Sequence, residues 1–85
     1  MKNELNCAQM LRAYEIIIEK GQPTKIGKIY EGVEAFSDYD GYTVYLQGNG
    51  VQLTIGFHQT YRLDYEFERL RDQFLEKVNA ILKMQ

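Results

Sequence analysis

The sequence predicts an α+β fold: a three- to four-stranded antiparallel β-meander with N- and C-terminal helices packed on one face, in the order α-β-β-β-α. Three observations predict it. Residues 41–57, GYTVYLQGNGVQLTIGF, alternate apolar and polar on both sides of a Gly-Asn-Gly turn, the signature of a hairpin with one buried face. Residues near each end carry apolar side chains at helical spacing instead. The connections are short, and antiparallel neighbours need only tight turns.

The first helix is expected over residues 6–20. Cys7, Met10, Leu11, Tyr14, Ile17 and Ile18 form one stripe. Asn6 followed by Gln9 matches a capping box, with Asn3 as an alternative cap one turn earlier. Lys20 suits the last turn, Gly21 suits a left-handed C′ position, and Pro23 forbids continuation. Residues 21–27 then form a polar connection.

A strand is expected over residues 28–36, with Ile29, Val33 and Ala35 inward and Tyr30, Glu34 and Phe36 outward. A bulge near Gly32 would alter that phase. Ser37 to Gly41 is a turn by composition. The hairpin strands follow at 42–47 and 51–57, with Tyr42, Val44, Leu46, Val51, Leu53, Ile55 and Phe57 on the buried side. Leu46 opposite Val51 or opposite Leu53 satisfies burial equally, so the pattern leaves the register open.

Residues 58–65 alternate at Tyr61, Leu63 and Tyr65, which fits a fourth strand or an extended connector. Asp64 is the best N-cap for the last helix. In that helix Phe67, Leu70, Phe74, Leu75, Val78, Ile81 and Leu82 form a stripe. Each is worth about 1.5–3 kcal/mol when buried.

The 85 residues make a single domain, 1–85. A hydrophobic fraction of 45% marks globular material, not a disordered chain. No cofactor or metal is needed to account for folding. A core this small gains from burial against a second copy.

Twelve acids and ten bases give a net charge of −2. The bases, among them Lys25, Lys28, Arg62, Arg69 and Arg71, form no stripe, which argues against a nucleic-acid partner. The lone Cys7 permits no intrachain disulfide and reads as a small hydrophobe on a helix face. Glu4, Gln9, Arg12 and Glu15 interrupt any signal-peptide pattern. The longest aliphatic run is Ile16-Ile17-Ile18, far short of the about 20 residues of a membrane span. A cytoplasmic protein with no membrane partner is therefore expected.

The chemical motifs are weak. Asp38-x-Asp40-Gly41 shares part of a calcium-loop pattern, but the loop would place Phe36 at its first ligand and Gln47 at its twelfth. Both are wrong, so a turn with a side-chain cap is the better reading. His58 is the only histidine, and nothing in the sequence supplies it with a nucleophile or a set of metal ligands. The glycines serve turns and a helix end, not a phosphate loop.

Seven tyrosines are many for this length. Tyr14 and Tyr42 share the phase of the core. Tyr45 falls on the opposite sheet face with Thr43, Gln52, Thr54 and His58, joined by Tyr30 and Phe36. An amphipathic aromatic on an uncovered sheet suits an interface, since one end is apolar and the other forms hydrogen bonds.

The leading functional expectation is a non-catalytic binding or self-association module using that face, with a protein partner or a second copy (a homodimer). The residue pattern identifies no small-molecule ligand. The alternative is a small enzyme or metal-binding protein using His58 with Asp38, Asp40 or Asp64.

Met1-Lys2-Asn3-Glu4-Leu5, Asp38-Tyr39-Asp40-Gly41-Tyr42-Thr43-Val44, Phe57-His58 and Asp64-Tyr65-Glu66 together resemble a small family of uncharacterised gammaproteobacterial proteins, classed as a domain of unknown function. The resemblance spans nearly the whole chain. It implies a bacterial cytosolic setting and supplies no activity, cofactor or catalytic residue.

Overall fold

The computed structural model describes residues 6–56 and 60–83. Helix α1 (Cys7–Lys20) is followed by β1 (Gln22–Pro23), β2 (Lys28–Tyr30), β3 (Val33–Ser37), β4 (Val44–Gly48), β5 (Val51–Ile55) and β6 (Tyr61–Asp64), and then by α2 (Glu68–Lys83). The fold is α+β, with an antiparallel sheet flanked by the terminal helices. The sheet has six strands among the described residues, not three or four, and they pair in sequence order β1 to β6.

The capping box opens α1. The Asn6 side chain accepts from the Gln9 N–H at 2.8 Å, and Gln9 Oε1 accepts from the Asn6 N–H at 3.0 Å. The alternative cap, Asn3, lies outside the described residues. The helix ends differently from the expectation. Gly21 is extended, with φ −78° and ψ 172°, and its N–H donates to the Ile17 carbonyl. The chain runs straight into β1, so no left-handed residue reverses it. Glycine is still required, because a Cβ at position 21 would lie 2.6 Å from the Ile17 oxygen and 2.7 Å from that of Ile29. Lys28 Nζ donates to the Ile18 carbonyl at 3.1 Å, satisfying one of the acceptors that a helix end leaves open.

The additional strands have a local cause. The stretch 28–36 is not one strand but a hairpin, because Glu31 (φ 53°) and Gly32 (φ 81°) both adopt the left-handed conformation. Two such residues make the turn that suits a two-residue hairpin loop. The reversal resets the phase. Tyr30 now faces Val33, and Lys28 faces Ala35, so Tyr30 lies on the helix side, half-buried against the core. Ile29 is on the opposite side and 38% exposed. Both placements invert the expectation for a continuous strand. Upstream, the Thr24 hydroxyl accepts from the Gly27 N–H at 2.9 Å, and the Thr24 N–H donates to the Gly27 carbonyl at 2.8 Å. That turn lets β1 fold onto β2.

Asn49 (φ 50°) and Gly50 (φ 80°) form the matching turn between β4 and β5. A two-residue loop fixes the register, and Leu46 faces Leu53. Residues 61–64 do form a strand, with Leu63 opposite Leu53. Asp64 therefore ends β6 and does not cap α2. The Phe67 carbonyl instead accepts from the N–H groups of Leu70 and Arg71. Phe67 is 52% exposed, with the Arg69 guanidinium 5.5 Å from its ring centre, and it does not join the core stripe. Tyr42 also departs from its expected core position. It precedes β4 in the loop and is 63% exposed.

The core forms one cluster. Met10, Ala13, Ile16 and Ile17 come from α1, and Phe74, Leu75, Val78 and Ile81 from α2. The sheet contributes Val33, Ala35, Leu46, Val51, Leu53 and Ile55. Every sheet member lies on one face, since Ala35 faces Leu46 and Leu46 faces Leu53. Both helices thus cover the same side. Cys7 is a free thiol, half-buried against the cluster. No helix among the described residues is long and apolar enough to cross a membrane.

Candidate functional site

Alternation along the strands places the remaining side chains on the face opposite the helices, in two rows. The first row runs Phe36, Tyr45, Thr54, Arg62 across β3 to β6. The Phe36 and Tyr45 rings stack with centroids 4.8 Å apart and planes 13° from parallel. Each ring covers part of the other, so both are half-buried without any helix above them among the described residues. Stacking of this kind fixes the rings and leaves their edges and the Tyr45 hydroxyl for contact.

The second row runs Ile29, Glu34, Gln47, Gln52, Asp64 across β2 to β6. It floors a shallow, open groove of about 730 Å³ that is also lined by the Asn49-Gly50 turn and by Tyr65 and Glu66. Gln47 Nε2 donates to Glu34 Oε1 at 2.9 Å. The Glu34 carboxyl is held below its ordinary range, first by the Thr24 hydroxyl and then by the Gln47 amide, with burial opposing them. Arg62 Nε donates to Asp64 Oδ2 at 3.2 Å, joining the two rows at the sheet edge. Arg71 Nη1 donates to the Tyr65 hydroxyl at 3.4 Å, and its guanidinium lies 5.4 Å from the ring centre. The charged groups lining the groove are Glu34, Asp64 and Glu66, with no lysine or arginine among the lining residues.

The expected binding residues divide as follows. Phe36, Tyr45, Gln52 and Thr54 meet on the open face. Tyr30 does not, because the β2–β3 turn sends it to the helix side. Thr43 precedes β4 and belongs to the loop, where its carbonyl accepts from the Asp38 N–H at 3.0 Å. His58 lies outside the described residues. The groove row has a sequence signal too, since the alternation of β3 and β4 places Glu34 with Phe36 and Gln47 with Tyr45.

The acidic residues of the alternative reading are spread out. Asp38 Oδ1 accepts from the Gly41 N–H at 2.8 Å and from the Thr43 N–H at 3.4 Å, the side-chain-capped turn expected from its composition. That loop sits at the Tyr61 end of the sheet, since Ser37 faces Val44, Val44 faces Ile55 and Ile55 faces Tyr61. Asp64 is three residues further along β6, roughly 10 Å, and on a strand not adjacent to β3. Among the described residues no three His, Cys, Asp or Glu side chains are grouped to hold a metal ion.

A family model described as "Protein of unknown function (DUF3081)" matches residues 5–85. The chain belongs to that family. No curated protein and no solved structure matches it. The family description assigns no ligand, and the chemistry of the open face is that of its residues: an aromatic stack, a polar row and an acidic groove on one side of a sheet.

Proposed function

We propose that this protein is a small non-catalytic binding module whose working surface is the open sheet face and whose partner is another protein. The observation that supports it most directly is the pairing of the Phe36–Tyr45 stack with the adjoining groove on the helix-free side. The groove lining of Glu34, Asp64 and Glu66 favours a partner that brings cationic side chains to the polar row and an apolar one to the rings. The same charge disfavours nucleic acid. A bacterial cell, gammaproteobacterial by the sequence resemblance, and a cytoplasmic location are part of this proposal. No observation favours the enzyme or metal-binding alternative built on His58 with Asp38, Asp40 or Asp64.

The test is affinity capture from the native host with intact-complex mass measurement, run with wild type, Tyr45→Ala and Gln47→Lys. The expected result is a defined partner held by wild type, weakened by at least about tenfold in each variant, as for loss of one central contact. Retention of the same partner by both variants, with unchanged circular dichroism, would overturn the reading.

A further inference from the structure

β6 stands last in the sheet order, so its outer edge has no strand beside it among the described residues. Such an edge is a template for another chain. Its geometry specifies which groups point outward. The Gly56 N–H donates to the Thr60 carbonyl at 2.8 Å, and Ile55, Thr54, Leu53 and Gln52 then face Tyr61, Arg62, Leu63 and Asp64. Antiparallel ladders alternate bonded and non-bonded pairs. Counting from the Gly56–Thr60 pair, the Arg62 and Asp64 backbone groups bond inward to β5, while those of Tyr61 and Leu63 point away from the sheet.

The edge sequence is Tyr61-Arg62-Leu63-Asp64-Tyr65, and it is self-complementary. A two-fold axis at Leu63 sets Leu63 against the second copy's Leu63, Arg62 against its Asp64, and Tyr61 against its Tyr65. The outward N–H and C=O groups then meet at the Leu63 pair, which satisfies the ladder. An axis at Arg62 or at Asp64 would also match faces, but it sets like charges opposite each other, which destabilises a pair. An axis between residues mismatches the faces. The side chains involved are available: those of Arg62 and Asp64 are 76% and 56% exposed, and Tyr61 and Tyr65 are 49% and 40% exposed.

We infer that this chain forms a two-fold homodimer by pairing β6 with β6 of a second copy, centred on Leu63. The intrachain Arg62–Asp64 pair becomes half of a four-charge cluster at the seam. Directly opposed residues share a face, so both helix layers lie on one side and the two open faces join on the other. The interface is short, which makes the dimer a weak, concentration-dependent one. This inference stands apart from the open-face reading, because edge pairing leaves that face uncovered.

The test is analytical ultracentrifugation of the full chain over a wide concentration range. Wild type is expected to shift from monomer to dimer. Arg62→Asp alone and Asp64→Arg alone each replace two opposite-charge pairs with two like-charge pairs, and each is expected to weaken dimerisation by about tenfold or more. The double variant Arg62→Asp/Asp64→Arg restores complementarity and dimerises. An equimolar mixture of the two single variants forms the heterodimer, because one copy then carries both acids and the other both bases. In hydrogen exchange the Leu63 amide gains protection as wild-type concentration rises, whereas the Arg62 amide is protected throughout. Three results would overturn the inference: a wild-type monomer at every concentration, single variants that dimerise like wild type, or a dimer lost in Tyr45→Ala. The last outcome would assign self-association to the open face.

Discussion

The Glu34 carboxylate sits on the open face with the Thr24 hydroxyl and the Gln47 amide bound to it. The Thr24 oxygen meanwhile accepts from the Gly27 N–H, so one small network ties the β1–β2 turn to the middle of the sheet. Its pH behaviour follows from the direction of the shift. The folded state holds the proton on Glu34 less tightly than the unfolded chain does, so the ionised group adds stability above the ordinary carboxylate range. That contribution disappears as pH falls through the lowered value. Glu34→Gln is expected to flatten the acid side of the thermal stability profile from the ordinary carboxylate range downward, where wild type loses this contribution, and to leave its slope near neutral pH unchanged. An unchanged profile would show that the network contributes nothing. Its constituents were visible as residue types, but their meeting was not. Thr24 and Glu34 are brought together by the β1–β2 and β2–β3 hairpins, and two left-handed residues, Glu31 and Gly32, create the second of these. Glutamate is an unusual residue at positive φ, so propensity alone points away from that turn.

At the scale of elements, local signals were reliable where one residue type dominates the choice. Asn6 and Gln9 form the reciprocal cap expected of them. Asn6→Ala is expected to cost about 1 kcal/mol, read as a lower denaturation midpoint with an unchanged urea slope. Asn49-Gly50 likewise forms the hairpin turn that its composition specifies. Local signals mislead where two elements compete for one residue. Asp64 has the chemistry of an N-cap, yet pairing with Gln52 draws it into β6. Gly21 has the freedom for a left-handed cap, yet the nearness of β1 keeps it extended. In each case a ladder of backbone hydrogen bonds outweighs a single cap. Four of the seven expected face residues are legible in the same way, since strict alternation locates Phe36, Tyr45, Gln52 and Thr54, while the β2–β3 reversal carries Tyr30 to the helix side.

For the whole molecule, the helices share one face because only one sheet face is apolar, and that asymmetry makes an uncovered surface unavoidable. Leu46 lies at the centre of the covered side, fully buried between Ala35 and Leu53. Leu46→Ala is expected to remove about 2–5 kcal/mol. That is a large share of the roughly 5–15 kcal/mol that holds an ordinary domain together. Chemical denaturation would record it as a sharp fall in midpoint, and a loss below about 1 kcal/mol would place the centre of the core elsewhere. Side-chain periodicity by itself determined the class of fold, the two helices, the central hairpin and which face is buried, because burial acts on every second or every third-to-fourth residue of a local segment. Only the tertiary structure decided the number of strands, the side on which Tyr30 lies, the groove beside Glu34 and the exposed edge at β6. Those depend on backbone reversals and on which strand stands last in the sheet order among the described residues, and no local pattern encodes either.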